Sequence, residues 1–176
     1  RKVAQHRGAR TVIRTSPIQS KGTLGFAERA HRSVKGLARA MKLNAETKYG
    51  CYIPLDSVLI PWLLWWAGSA LTMFAVGTDG RTAYHRLHGI AYTSAVVEFA
   101  ECIDGRVTDI MQQQAALEAR TVEGVWVGKS LRSHEHILLT PQGRLLCRTI
   151  RRRCEKDRWQ LALLNTVKGT PWNSKA

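Results

Sequence analysis

From Val58 to Val76 the chain carries no charged side chain over 19 residues, among them Trp62, Trp65, Trp66 and Phe74. Any fold has to cover that run. By length it qualifies as a membrane span, for which about 20 apolar residues suffice. Three features oppose that reading: Pro61 lies near its beginning, Gly68, Ser69 and Thr72 interrupt it, and the tryptophans cluster at its centre rather than at two interfaces. A core or interface helix is expected, with a membrane anchor as the rival.

The segment before it has helical periodicity from about Phe26 to Lys48, stopping at Gly50. Stepping about 100° per residue, Glu28, Arg32, Lys35, Arg39 and Lys42 fall within roughly 40° of one line, and Ala27, Ala30, Val34, Leu37 and Met41 gather opposite. One carboxylate thus leads a stripe of cations. Such a stripe suits a phosphate backbone, but most charged helix faces simply meet water.

Residues flanking this helix add a second kind of information. Ser16-Pro17, Ser20, Gly25-Phe26-Ala27-Glu28 and Lys35 keep an unbroken register. It resembles the end of the catalytic core of retroelement integrases: Ser-Pro, a polar glycine-containing loop, Gly-x-x-Glu, six residues and Lys. Asp79-Gly80-Arg81-Thr82-Ala83-Tyr84 with Gly89, and Glu123-Gly124-Val125-Trp126-Val127-Gly128-Lys129, resemble later segments of retrotransposon integrases. Related integrases have a Pro-Trp-Leu helix where Pro61-Trp62-Leu63 stands here, usually with charged residues in place of Trp65, Trp66 and Met73. That departure would leave large apolar side chains exposed unless a partner or the rest of the core covers them.

The resemblance implies an α+β architecture: the C-terminal helical half of a ribonuclease-H-like integrase core over residues 1–92, an SH3-like β-barrel module that binds DNA over 95–153, and a tail over 154–176. It also implies two divalent metals, Mg2+ or Mn2+, held by two aspartates and a glutamate. Glu28 matches the glutamate and is the candidate catalytic and metal-ligating residue. Both aspartates, and the zinc-binding head of such integrases, would lie before Arg1, so the chain reads as a fragment. Two-metal phosphoryl transfer needs several carboxylates to hold ions about 4 Å apart, and this fragment is therefore expected to be inactive alone and to hold no metal tightly. In the longer protein it would serve DNA integration by strand transfer, as a homo-oligomer in the nucleus after passage through the cytoplasm. The rival is an integrase remnant that binds nucleic acid without chemistry.

After Ala95 short β-rich runs follow: Val96–Ile103, Val107–Met111, Val122–Val127, His136–Thr140 and Arg144–Ile150, the last two joined by a hairpin at Pro141-Gln142-Gly143. Five strands suggest a small barrel, although Gln112–Arg120 is helix-prone where a loop would fit. With 27 Lys and Arg against 13 Asp and Glu, a net charge of +14 suits a polyanionic partner. The candidate DNA contacts are Arg32, Lys35, Arg39 and Lys42 on the helix, Lys129 and Arg132 on a loop, and Arg144, Arg148, Arg151, Arg152 and Arg153 at the end of the module. Cys51, Cys102, Cys147 and Cys154 form no Cys-x-x-Cys pair and are expected as reduced thiols. His85 with His88, and His134 with His136, lack a third ligand nearby in sequence and are read as ordinary histidines.

Overall fold

The computed structural model describes residues 25–107 and 121–173. Ser16, Pro17 and Ser20 of the integrase-like register, all but Val107 of the expected strand Val107–Met111, and the helix-prone Gln112–Arg120 lie outside the described residues. Four α-helices and one four-stranded antiparallel sheet are described, so the chain is α+β. Helix α1 spans Gly25–Tyr49, α2 Leu59–Phe74, α3 Ala83–His88 and α4 Leu161–Leu164; strands β1 to β4 cover Cys102–Val107, Thr121–Lys129, His136–Thr140 and Gly143–Arg152. The chain divides into two compact units, residues 1–33 and 34–176. Of the first, the opening turns of α1 are described, and there Ser33 Oγ donates back to the Arg29 carbonyl at 3.0 Å.

The second unit is built around a sheet whose strands pair in chain order and close, β1 pairing with both β2 and β4. Closure leaves no strand edge unpaired. The hairpin falls where Pro141 and Gln142 separate the paired residues Thr140 and Gly143. Val125, Val127, Leu138, Leu139 and Cys147 are fully buried. Of the expected strand Val96–Ile103 only Cys102 and Ile103 are in β1, which continues to Val107, where the described residues stop. Residues 96–101 form no regular strand: Ala100 has φ +67°, which breaks the extended run, and its carbonyl accepts from Tyr49 Oη at 2.7 Å, while Ala100 N and Glu101 O still bond the backbone of Trp126 at 2.9 Å. Gly105, beyond the end of that expected strand, lies inside β1, where an added Cβ would stand 2.6 Å from Cys147 Sγ.

Helix α2 covers this barrel with the apolar run that dominates the sequence. It has 16 residues, about 24 Å at 1.5 Å per residue, and no helix among the described residues is long and apolar enough to cross a membrane. Trp62, Leu63, Trp66, Ala67, Ala70 and Met73 are buried. Trp66 meets Trp126 of β2 edge to face, with ring centroids 4.9 Å apart. The expectation that Trp66 and Met73 need an outside cover is corrected: the chain buries both itself, and Trp65 is half-buried. A β-bulge between Trp126 and Gly128 shapes the contact. Gly128 has φ +141°, and a Cβ there would come within 3.0 Å of Trp66 and 3.1 Å of Trp65.

The segment after β4 closes the far side. Trp62 Nε1 donates to Gly169 O at 2.9 Å, Cys102 N to Arg158 O at 2.8 Å, and Trp159 packs edge-on against Tyr49. Residues of α1, α2, the strands and the segment after β4 thus share one apolar cluster. The four cysteines are free thiols, and burial pushes the Cys147 thiol up to about 11.

Two predictions follow from this packing. Gly128→Ala combines an unfavourable φ with the indole contact and should cost about 2 kcal/mol of stability, read by urea unfolding. His136 accepts at Nδ1 from Trp126 Nε1, 3.0 Å away, so its neutral form is the one that fits. Burial, then the Lys129 charge, lower its pKa from 6.5 to about 4. The folded value lies below the unfolded one, so stability is full above pH 6.5 and falls as pH drops toward 4, by at most about 3 kcal/mol. Denaturation at pH 7 and pH 5 should show the loss, and His136→Gln should flatten it.

Candidate nucleic-acid interface

The cations of the sequence separate into two populations once their partners are known. On α1, Arg32, Lys35 and Arg39 are exposed, and no carboxylate lies within 4 Å of them among the described residues. Lys42 differs. It pairs with Glu46 one turn on and lies 4.3 Å above the Tyr52 ring, and Glu46 also accepts from Ile53 N at 2.8 Å. That pair ties the helix end to the following loop, and its hydrogen bond to Lys42 lowers the Glu46 pKa. Val34, Leu37 and Met41 on the opposite face pack against the core, and Ala38 and Ala45 belong to it.

Lys129 is 1% exposed. It lies on β2 rather than on a loop, its ammonium donates to Ser94 Oγ and Ala95 O, and it stands 5.9 Å from the centre of the Tyr92 ring. The geometry makes it a strut between β2 and the segment ahead of β1, withdrawn from any phosphate. Burial lowers its pKa, which fits a cation held by neutral oxygens.

The arginine cluster at the end of β4 is mostly engaged from within. Arg152 grips the fully buried Glu101 through two bonds of 2.7 Å, and Arg158 approaches the same carboxylate at 3.6 Å. Arg153 bonds Asp104 at 2.5 and 2.9 Å and also pairs with Glu123. Arg151, 81% exposed, reaches Asp104 at 3.3 Å, and Arg148, 79% exposed, faces Glu135 at 3.7 Å. These last two pairs are loose and solvated and hold their partners weakly. Arg132 and Arg144 are exposed and have no carboxylate within 4 Å among the described residues.

Glu101, Asp104 and Glu123 were not singled out by sequence reasoning, and only the strand register could have found them: Asp104 sits opposite Arg151 across β1 and β4, and opposite Glu123 across β1 and β2. Two carboxylates placed side by side need a cation between them, which is the place of Arg153.

Glu28 stands exposed in the first turn of α1. Among the described residues no three His, Cys, Asp or Glu side chains converge on a point where a metal ion could sit. A lone carboxylate does not fit a two-metal centre, which needs several bridging oxygens. The chain matches no protein-family model, no curated protein and no solved structure.

If the engaged arginines serve the fold, Arg152→Ala should destabilise the protein by about 2 to 4 kcal/mol, because it strands a buried carboxylate. Chemical unfolding measures this. Arg148→Ala should change stability by less than about 0.5 kcal/mol.

Proposed function

We propose that this chain holds DNA for a retroelement-type integrase, with α1 and the small barrel as phosphate-binding surfaces. The observation that carries this reading is the row Arg32, Lys35 and Arg39, exposed on α1 with no carboxylate within 4 Å among the described residues. The order of parts supports it: a glutamate-headed helix, a Pro-Trp-Leu helix and then a closed barrel follow one another as the resemblance implies. On this proposal the barrel is the SH3-like module and the helices belong to a ribonuclease-H-like core. Glu28 supplies one ligand of a metal site whose other ligands lie beyond the described residues, and strand transfer is an activity of a longer, oligomeric, nuclear protein.

Arginine and lysine contacts to phosphate give affinity without base selectivity, and each releases counterions. Duplex binding by the chain should therefore weaken steeply with salt. Lys35→Glu with Arg39→Glu should lower affinity at low salt and reduce the slope of log K against log salt by about 2. Fluorescence anisotropy across a salt series reads both. An affinity indifferent to ionic strength would sink the proposal.

A further inference from the structure

A groove of about 570 Å3 opens between α2, the β2–β3 loop, the β3–β4 hairpin and the segment near Pro171. Its floor and walls include Trp65, Leu131, Ile137 and Leu146, and its cations are Arg132 and Arg144. Among the described residues no Asp or Glu lines it, the nearest on the same loop being Glu135, which accepts from Ser133 Oγ at 2.7 Å. Ser130 Oγ accepts from the backbone amides of Arg132 and Ser133, both at 3.3 Å, which holds the loop in one turn. Leu131 is 53% exposed, and Trp65, half-buried, stands edge-on to Trp62 with centroids 6.0 Å apart.

Two other grooves show what is particular about this one. A groove of about 510 Å3 beside Arg151, Arg152 and Arg153 also contains Asp104 and Asp157, and two of its three arginines are bound firmly to internal carboxylates. The groove beside Met41, Phe74 and Val97 is apolar and has Glu98 as its charged residue. An anionic chain is favoured at neither. The groove at Trp65 joins two unneutralised guanidinium groups to an aromatic and aliphatic floor. That pairs with a ligand carrying phosphates on one side and flat apolar rings on the other. Its volume lies in the range of small-molecule pockets, roughly 300–1,000 Å3, which suits one or two nucleotides with their bases turned inward. A duplex keeps its bases stacked inside and presents only its backbone.

We infer that this groove binds unpaired nucleotides of a single DNA strand, phosphates on Arg132 and Arg144 and a base against Trp65 and Leu131. The inference rests on the DNA-binding reading above and goes beyond it by separating a single-strand site from the duplex surface of α1. Stacking on an aromatic side chain tolerates any base, so the site selects strand state and not sequence.

The test uses the whole chain, with a short labelled oligothymidylate and a blunt duplex of equal length, in fluorescence anisotropy at one salt concentration. Arg132→Glu with Arg144→Glu should weaken oligothymidylate binding about tenfold or more. A charge-matched double, Arg148→Glu with Arg151→Glu, should weaken it less than about threefold. Trp65→Leu, which keeps an apolar side chain in place, should cost about fivefold or more on the oligothymidylate and leave the duplex unchanged. Thermal unfolding of each variant confirms that it is folded. Equal losses from the two arginine doubles would overturn the inference, and so would an oligothymidylate affinity that ignores Arg132 and Arg144. In either case duplex binding that still depends on Lys35 and Arg39 keeps the broader reading standing, whereas an unmodified chain that binds neither DNA removes both.

Discussion

The contact between Trp66 and Trp126 is the joint on which the unit from Val34 onward depends. Each indole is almost completely buried, and their edge-to-face arrangement at 4.9 Å is the geometry in which the positive rim of one ring meets the negative face of the other, worth about 1 kcal/mol beyond the area removed from water. Three features make it possible. Gly128 leaves room for α2 to approach the barrel, the bulge beside it turns β2, and His136 satisfies the indole N–H of Trp126. A buried tryptophan without that acceptor would leave a donor unpaired. The apolar run and the barrel therefore each supply the other's missing wall.

A second constraint works at the seam where β1 meets β4 and closes the ring. Glu101 is fully buried next to this seam, and its charge is tolerable because Arg152 satisfies both oxygens in a planar fork. Asp104 and Glu123 lie opposite one another on neighbouring strands, with Arg153 between them. Buried ion pairs are weak contributors to net stability, but removing one partner is expensive. The arrangement thus favours one register over slipped alternatives, since a one-residue shift would separate every pair.

Much of the fold was legible beforehand. The period of α1, the boundaries of α2 and the hairpin at Pro141 emerged from apolar spacing and turn residues, because those signals are local. The run with Trp62, Trp65 and Trp66 was readable as a core or interface helix, and Trp62 and Trp66 do lie in the core, yet its cover could not be foreseen, since Trp126 lies 60 positions after Trp66. The strand expected at Val96–Ile103 misled for a similar reason. Its β-branched and aromatic residues suit a ladder, but Ala100 turns to φ +67° and its carbonyl accepts from Tyr49, which is remote in sequence. For the candidate interface the stripe on α1 was readable from periodicity. The fate of Lys129, Arg152 and Arg153 was not, because an arginine beside solvent and an arginine clasping a buried carboxylate look identical until register brings the acid to it.

A net charge of +14 therefore overstates the number of cations ready to meet a polyanion and understates how they are placed. Where a guanidinium already holds a carboxylate in good geometry, a phosphate must displace that partner and strand it, so the exchange gains little. Where it faces water alone, a phosphate replaces only solvent and releases a counterion. By that criterion Arg152 and Arg153 belong to the barrel, Arg148 and Arg151 are intermediate, and Arg32, Lys35, Arg39, Arg132 and Arg144 are the candidate contacts with no carboxylate within 4 Å among the described residues. Position matters as much as number: Lys35 and Arg39 lie on a convex helix face, while Arg132 and Arg144 border a concavity with an indole in it. A convex row of charges can follow the outside of a duplex, whereas a charged concavity of this size is too small to admit one.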